Sequence, residues 1–455
     1  MSATCSAPAP IPTVTRPPLS LSRGGALALS IRVLGAGGML LCYIVLARAL
    51  RPAGFSEYAQ AVVWLQILCV CGKFGLDNAS LRYVSEYIAK GHGGKLRGFV
   101  RDSIRISLLI SVLVMLGVIA TVLFLWDTIG DSRARCLIIA SVMIPLTSLR
   151  QIQEAGLRGV GQMFESQIGT AIWPLTLFLL AGIVWLGSST DMSSPQATLL
   201  HLVSVGVVSV IVLRYFRRSP LCGGSETIDN TCRHQWADTA VAFFVAELLI
   251  VLKGRVCIAM AGAMLDRESV GLYAAMERFA DVSLLGSQSL GLVIAPQFAS
   301  LFAAGRYAEM RRLMWQGQIL GLAFTLPVAL GVACLGDSLF VLLGSDYRPG
   351  WTVLVALLAS ACIASFAGPA AYVLQMTGRE RSMLAITGAC ATSNVALSFL
   401  LMRPLGILGL GVAQVVTSLV WTVGIRLSLR RHPMWQRPTI DRTDLSRGRE
   451  IEVAR

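Results

Sequence analysis

The sequence predicts an all-α polytopic membrane protein with about twelve transmembrane helices, arranged as two six-helix lobes related by a pseudo-two-fold axis along the membrane normal. Only 14% of its 455 residues are charged and 55% are hydrophobic, whereas soluble domains carry about 25% charged residues. Apolar runs of about 20 residues, each long enough to cross the hydrocarbon core, recur along the whole chain. Such runs must satisfy their backbone polar groups within lipid, and the strict alternation of a barrel strand is absent, so helices are predicted.

Twelve spans follow from these runs, and the connections between them are short except for a polar loop at 215–237. That loop separates a predicted N-terminal lobe at 26–214 from a C-terminal lobe at 238–427. The predicted spans are 27–50, 58–80, 104–126, 136–156, 167–187, 196–214, 238–264, 271–302, 316–336, 351–376, 383–402 and 405–426. Residues 1–25 are proline- and serine-rich and predicted to be a disordered cytosolic tail, and residues 428–455 form a basic cytosolic tail. The apolar segment that begins the first lobe is too long for a signal-peptide core, so it is expected to be retained.

Lysine and arginine crowd one side of the predicted membrane. When the N-terminus, the even-numbered connections and the C-terminal tail are placed together, that side holds 27 basic residues and the opposite side 7. The positive-inside rule assigns the richer side, with both termini, to the cytosol. The net charge of +14 is then explained by contact with an anionic inner leaflet. Nucleic-acid binding is not expected, because no basic stretch carries interleaved aromatic residues.

An internal repeat relates the two lobes. GFSEYAQA (54–61) matches VGLYAAM (270–276) at an offset of 215, and RYVSEYIAKG (82–91) lies opposite PQFASLFAAG (296–305) at an offset of 214. LRGVGQ (157–162) matches LQMTGR (374–379) at an offset of 217. The repeats are separated by an even number of spans and therefore share one topology, as in transporters whose substrate path runs between two parallel repeats.

The same motifs carry a family resemblance. LARALRPAGFSEYAQA, GLDNASLRYVSEYIAKG, VGLYAAMERF and LQMTGRERSMLAITGACATSNVALSFLLMRPLGILGLGVAQVV resemble bacterial polysaccharide (O-antigen-type) flippases of the multidrug/oligosaccharidyl-lipid/polysaccharide (MOP) exporter superfamily. The resemblance extends over nearly the whole chain, and its motifs identify the superfamily better than the substrate. It implies a MATE-like arrangement of twelve helices.

The resemblance also implies a function. Members of this family move undecaprenyl-diphosphate-linked oligosaccharides to the outer leaflet of the bacterial cytoplasmic (inner) membrane. The chain is therefore expected to act by alternating access, for lipopolysaccharide, capsule or exopolysaccharide synthesis. Its expected partners are the lipid-linked glycan, the bilayer, and a polysaccharide polymerase with glycosyltransferases.

Five cations lie inside the predicted spans: Arg32, Lys73, Lys253, Arg255 and Arg278. A charge at the bilayer centre costs from about 2.5 to more than 10 kcal/mol, so it is expected to face a wet cavity or a partner. Because a diphosphate is anionic, these five residues are predicted to line a cationic substrate path between the lobes. Lys253 and Arg255 are about 200° apart around a regular helix, and a break at Gly254 is expected to turn both side chains inward.

Local pairing is the competing interpretation for some of these cations. Lys73 and Asp77 share a helix face, and Arg278 lies beside Glu277 and close to Asp281. A further ladder joins Arg150, Glu154 and Arg158.

Uncompensated positive charge is nevertheless expected near mid-membrane, because Glu247 is too far along the helix to pair with Arg255. The chain carries no ATP-binding motif, so a gradient or substrate flux is expected to drive movement. The acids that could couple H⁺ or Na⁺ are Asp77, Glu154, Glu247 and Asp281.

Other classes fit the sequence less well. No Walker loop or Gly-x-Ser-x-Gly elbow is present, so no enzyme and no cofactor are predicted. Cys222, Cys232 and His234 share one loop but lack a second ligand pair, so no metal site is predicted. A multidrug exporter of the same superfamily should have an acidic cavity, and a lipid II flippase usually has two additional helices. A membrane glycosyltransferase or polymerase usually carries a large outer loop, whereas the predicted outer loops here are all short.

Overall fold

The computed structural model describes residues 21–187, 192–221, 229 and 231–430. The side chains of residues 21–33 are not among those described, and the predicted tails lie largely outside the described residues. Every regular element in the described part is helical, and fifteen α-helices and one 3₁₀ turn follow one another. In chain order they are α1 Leu21–Lys73, α2 Leu76–Lys90, α3 Gly93–Phe124, α4 Trp126–Ile129, α5 Asp131–Gly159, α6 Met163–Gly187, α7 Ser194–Arg218, α8 Arg233–Met264, α9 Arg267–Ser283, α10 Leu285–Ala303, α11 Tyr307–Cys334, α12 Gly336–Leu343, the 3₁₀ turn Ser345–Gly350, α13 Trp351–Met376, α14 Glu380–Leu405 and α15 Ile407–Arg430.

The membrane-spanning architecture agrees with the predicted all-α fold. Nine helices of the described chain are long and apolar enough to cross a membrane, and α9 with α10, bent by 48°, makes a tenth if the pair is counted as one broken span. α1 contains two predicted spans, because its backbone leaves the helical region at Arg51 (φ 55°, ψ 172°). α8 corresponds to the remaining predicted span and is the helix that carries Lys253 and Arg255.

The second predicted span, 58–80, ends earlier than expected. α1 stops at Lys73, and Phe74 (φ 49°) and Gly75 (φ 70°) adopt left-handed backbone conformations before α2 begins. The apolar composition continues across this break, so hydropathy alone does not reveal it. Phe74 is strained there, because a bulky side chain disfavours positive φ.

The internal repeat is visible in the backbone. Four described glycines in the first lobe have positive φ, and three of them, all except Gly75, have a counterpart in the second lobe at an offset of 214 or 217, as in the sequence motifs. The pairs are Gly91 (φ 68°) with Gly305 (φ 67°), Gly130 (φ 87°) with Gly344 (φ 113°), and Gly161 (φ 85°) with Gly378 (φ 76°). Helix packing repeats as well. In the first lobe α5 packs on both α3 and α7, and in the second lobe α13 packs in the same way on α11 and α15.

The repeated motifs themselves form the contact between the lobes. Phe55, Tyr58 and Tyr273 are each 1% exposed and belong to one hydrophobic cluster. Gly271 approaches the first lobe so closely that an added Cβ would lie 1.9 Å from the carbonyl oxygen of Pro52. The main apolar contact between the lobes therefore lies at the predicted extracytoplasmic end.

Candidate functional site: the cavity between the lobes

A cavity of about 630 Å³ lies between the two lobes. The part of α1 after Arg51, together with α5, α6 and α7, forms its wall on the N-terminal side. The parts of α8, α9, α13 and α15 that face it form the opposite wall. The repeat predicts the substrate path at this position.

Polar contacts join the lobes at the predicted extracytoplasmic end of the cavity. Arg267 at the start of α9 donates to the buried Glu57 carboxylate at 2.9 Å. Within the first lobe, Ser132 donates to the second oxygen of Glu57 at 2.5 Å and holds this carboxylate in place. The Tyr347 hydroxyl donates to the Ala47 carbonyl at 3.0 Å. α9 is positioned by its N-cap, because Asp266 accepts the backbone N–H of Ser269 at 2.9 Å, which lowers the pKa of Asp266.

A second set of contacts joins α8 to the first lobe near the predicted cytosolic end. Lys73 donates to Asp77 at 2.7 Å and also to Glu247 of α8. The rings of Phe74 and Phe244 stack with their centroids 4.7 Å apart. The predicted pairing of Lys73 with Asp77 is confirmed, although the pair bridges the break at Phe74 and Gly75 and does not lie on one continuous helix.

Lys253 projects from α8 into the cavity wall. Its Nζ lies 4.4 Å from the centroid of the Trp421 ring, and among the described residues no carboxylate lies within ion-pair distance of it. The predicted break at Gly254 is wrong, because α8 is helical from Arg233 to Met264. Both Lys253 and Arg255 line the cavity nonetheless. Gly254, which lies between them, also lines it, and a Cβ on Gly254 would meet nothing within 4 Å, so this face of α8 is open to the cavity.

Arg255 is compensated by acids on the next helix, so the predicted uncompensated charge is wrong for this residue. Its Nη1 lies 3.1 Å from Glu277 and 3.9 Å from Asp281. Arg278 lies 3.3 Å from Asp281, which confirms the predicted local pairing. The Arg278 side chain is 8% exposed, lies over the Tyr43 ring at 5.2 Å and is not among the cavity-lining residues. The structure therefore places Arg278 behind the cavity wall.

The charges on the wall are close to balanced. Four cations line the cavity, namely Lys73, Arg150, Lys253 and Arg255, and three carboxylates, namely Glu247, Glu277 and Asp281. This is less basic than the expected cationic path. Of the other predicted residues, Glu154 binds Arg150 at 2.6 Å, as the ladder predicts, and does not line the cavity. The side chain of Arg32 lies outside the described residues.

Several residues that line the cavity were not predicted to do so from the sequence. Glu277, 8% exposed, is one of them, because the sequence suggested it only as a pairing partner of Arg278. His201 is 4% exposed, its Nδ1 lies 3.1 Å from the Tyr58 hydroxyl, and its ring stacks on Trp173 at 5.2 Å. A usable signal existed, since His201 is the only histidine inside a predicted span. Gln414 of α15 also lines the cavity and accepts an N–H of Asn394 at 3.2 Å.

The described part of the chain contains no group of three or more side chains that could hold a metal ion. Cys232 and His234 belong to that part, whereas Cys222 lies outside the described residues.

Comparison with known proteins identifies the family. The profile of the Polysaccharide biosynthesis protein family matches residues 21–302, more than half of the chain. The probable low-salt glycan biosynthesis flippase Agl15 of Haloferax volcanii is 19% identical over 414 residues, which cover 89% of this chain and 82% of that protein.

Solved structures show the same fold. An inward-facing multidrug resistance MATE family transporter of the MOP superfamily superposes with a TM-score of 0.70 at 13% identity, covering 90% of this chain and 99% of that one. The lipid II flippase MurJ in an inward closed conformation gives 0.69 at 14% identity, covering 91% and 88%. The chain belongs to the Polysaccharide biosynthesis protein family and has the fold of the MOP superfamily.

Proposed function

We propose that this protein is a flippase that carries an undecaprenyl-diphosphate-linked oligosaccharide across the bacterial cytoplasmic membrane for surface polysaccharide synthesis. Family membership, a relative named as a glycan biosynthesis flippase, and a cavity between two repeated lobes support this function. The lobes expose the cavity to each side in turn. Glycosyltransferases supply the lipid-linked glycan on the cytosolic side, and a polymerase consumes it on the other.

The observation that carries the proposal is the position of Lys253, a cation that lines the cavity without a carboxylate partner among the described residues. This residue lies 15 residues, about 22 Å, from the start of the predicted span 238–264 and 11 residues from its end, deep in the predicted membrane. A cation at such a depth costs about 2.5–3.5 kcal/mol on insertion scales, and its ammonium group faces an aromatic ring without a carboxylate among the described residues. A phosphate oxygen 4 Å away would contribute about 4 kcal/mol at an effective dielectric constant of about 20. The site thus favours an anionic head group.

Arg255 extends the same surface by two residues. Its guanidinium group contacts Glu277 and Asp281 through Nη1. A guanidinium group has five N–H donors in a planar fork, so Arg255 can bind a phosphate while it remains paired. Lys253 and Arg255 together offer two cationic contacts to a diphosphate.

The remaining wall is largely apolar, with neutral polar groups on both lobes. These polar groups are Gln66, Thr147 and Gln151 on the first lobe, and Ser360, Gln414 and Ser418 on the second. Amides and hydroxyls both donate and accept hydrogen bonds, which suits the hydroxyl groups of a sugar. Two of the three wall carboxylates, Glu277 and Asp281, are bound by arginines, which leaves them less available to a cationic drug. This argues against the multidrug exporter.

The proposed function is tested by measuring the surface polysaccharide of cells from which the chromosomal gene has been deleted. Complementation with Lys253→Gln or Arg255→Gln should reduce export at least about tenfold, the factor that corresponds to about 1.4 kcal/mol. Lys90→Gln is the matched control, because Lys90 is an exposed cation paired with Glu86 far from the cavity. Undiminished export by both cavity variants at normal membrane levels would contradict the proposal. Unchanged surface polysaccharide after gene deletion, with increased sensitivity to cationic dyes, would favour the multidrug exporter.

A further inference from the structure

Lys73, Asp77 and Glu247 form a buried ion cluster that crosses from the first lobe to α8. Lys73 and Asp77 are 5% and 8% exposed, and Lys73 contacts both carboxylates. One oxygen of each carboxylate, Oδ1 of Asp77 and Oε2 of Glu247, is buried without a hydrogen-bond partner. Such orphaned oxygens are costly in a buried site, and each can accept a further proton or hydrogen bond.

The charges within this cluster do not cancel. One ammonium group faces two carboxylates, which leaves one excess negative charge. Arg150 of α5, which lines the same cavity, is bound by Glu154, and Arg158 faces that same carboxylate. Lys253, six residues further along α8, lies over Trp421. A single proton restores neutrality and requires no coordination shell, whereas a metal cation would have to sit beside the Lys73 ammonium group.

The backbone next to the cluster is strained and closely packed. Phe74, with φ 49°, and Gly75, with φ 70°, separate Lys73 from Asp77. A Cβ on Gly75 would lie 2.2 Å from the Ala240 carbonyl oxygen of α8. Non-glycine residues with positive φ cost about 1–3 kcal/mol and persist only where their surroundings hold them. The contact with α8 therefore holds a break that would otherwise relax.

We infer that the cluster binds one proton, and that the bound proton holds the first lobe and α8 together at the predicted cytosolic end. The proton resides on one of the two carboxylates and leaves to water in the cavity. After it leaves, two carboxylates repel each other across one ammonium group. Asp77 stays near Lys73 on the same lobe, so Glu247 and α8 move away and the strained break relaxes. This coupling goes beyond the proposed function and does not depend on which molecule the cavity carries.

The distance between the lobes as a function of pH tests this inference. Spin labels are attached to cysteines introduced at Ile88 of α2 and Leu384 of α14, both exposed, in full-length protein without other cysteines. The protein is held in phosphatidylethanolamine and phosphatidylglycerol nanodiscs, without substrate. Because the proton is bound at low pH, the label distance should be short in acidic buffer and lengthen as pH rises.

Glu247→Gln removes the titrating carboxylate and should keep the distance short at every pH, and Asp77→Asn should do the same. Glu154→Gln is the matched control, because Glu154 is a buried carboxyl group paired within one helix, and it should keep the wild-type pH response. A full pH response in both Glu247→Gln and Asp77→Asn would overturn the inference. A distance that follows Na⁺ concentration and not pH would also overturn it. Since no glycan is present, neither result bears on the proposed function.

Discussion

Replacement of Gly271 by alanine should push the lobes apart at the predicted extracytoplasmic end. The new Cβ would lie 1.9 Å from the Pro52 carbonyl oxygen and 2.6 Å from its carbonyl carbon, whereas ordinary contacts begin at 3.4 Å. The obstructing atoms belong to the backbone, so a displacement of about 1.5 Å is needed. Overpacking of this kind costs about 1–3 kcal/mol. Because only the joined state contains the clash, the equilibrium between joined and separated states should shift about 5–150-fold.

Cysteine modification measures this shift. Ala47 is 1% exposed at the same end, and its carbonyl accepts the Tyr347 hydroxyl. An introduced Ala47→Cys, in protein without other cysteines, should react slowly with an impermeant maleimide. The rate should rise in proportion to the separated population when Gly271→Ala is added.

Gly331→Ala is the matched control, since its Cβ would meet nothing within 4 Å, and it should leave the rate unchanged. Equal rates for Gly271→Ala and wild type, with both proteins monodisperse, would refute the clash argument.

Two further variants test neighbouring contacts. Glu57→Gln removes the charge that binds Arg267. Because the Arg267 side chain is 53% exposed, the extracytoplasmic contact should weaken by only about 0.2–1 kcal/mol. The same maleimide assay would register this loss, and an unchanged rate would show that this ion pair does not hold the lobes. His201→Phe keeps the ring against Trp173 but leaves the Tyr58 hydroxyl without its partner, so the free energy of unfolding should fall by about 1–3 kcal/mol. Denaturant unfolding in detergent measures that loss, and unaltered stability would mean that the hydroxyl finds another acceptor.

Much of the fold could be predicted because lipid imposes a simple constraint on sequence. Apolar runs of membrane-spanning length had to be helices, and the repeat offsets of 214 to 217 recur in the positions of the paired left-handed glycines. The break at Phe74 and Gly75 could not be predicted, because the apolar run continues through it. It is held by packing against α8, which is distant in sequence.

The ion pairs of the candidate site also divide into those that the sequence predicts and those that it does not. Pairs within one helix or across a short break, such as Lys73 with Asp77 and Arg278 with Asp281, follow from residue spacing and are present. The pairing of Arg255 with Glu277 joins two helices and depends on how those helices are placed, which spacing does not encode. For that reason the cavity is more nearly neutral than the sequence suggested. Among the described cations that line the cavity, Lys253 is the one without a carboxylate partner.

Transport by the purified wild-type protein shows whether it flips a lipid-linked glycan. Vesicles that contain the protein and a fluorescent undecaprenyl-diphosphate-linked oligosaccharide are treated with an impermeant quencher, and the protected fraction is followed over time. The protein should exchange the labelled glycolipid between leaflets and should leave an equally labelled phosphatidylcholine in place. Protein-containing and protein-free vesicles that show equal, slow exchange of the glycolipid would contradict the proposed function.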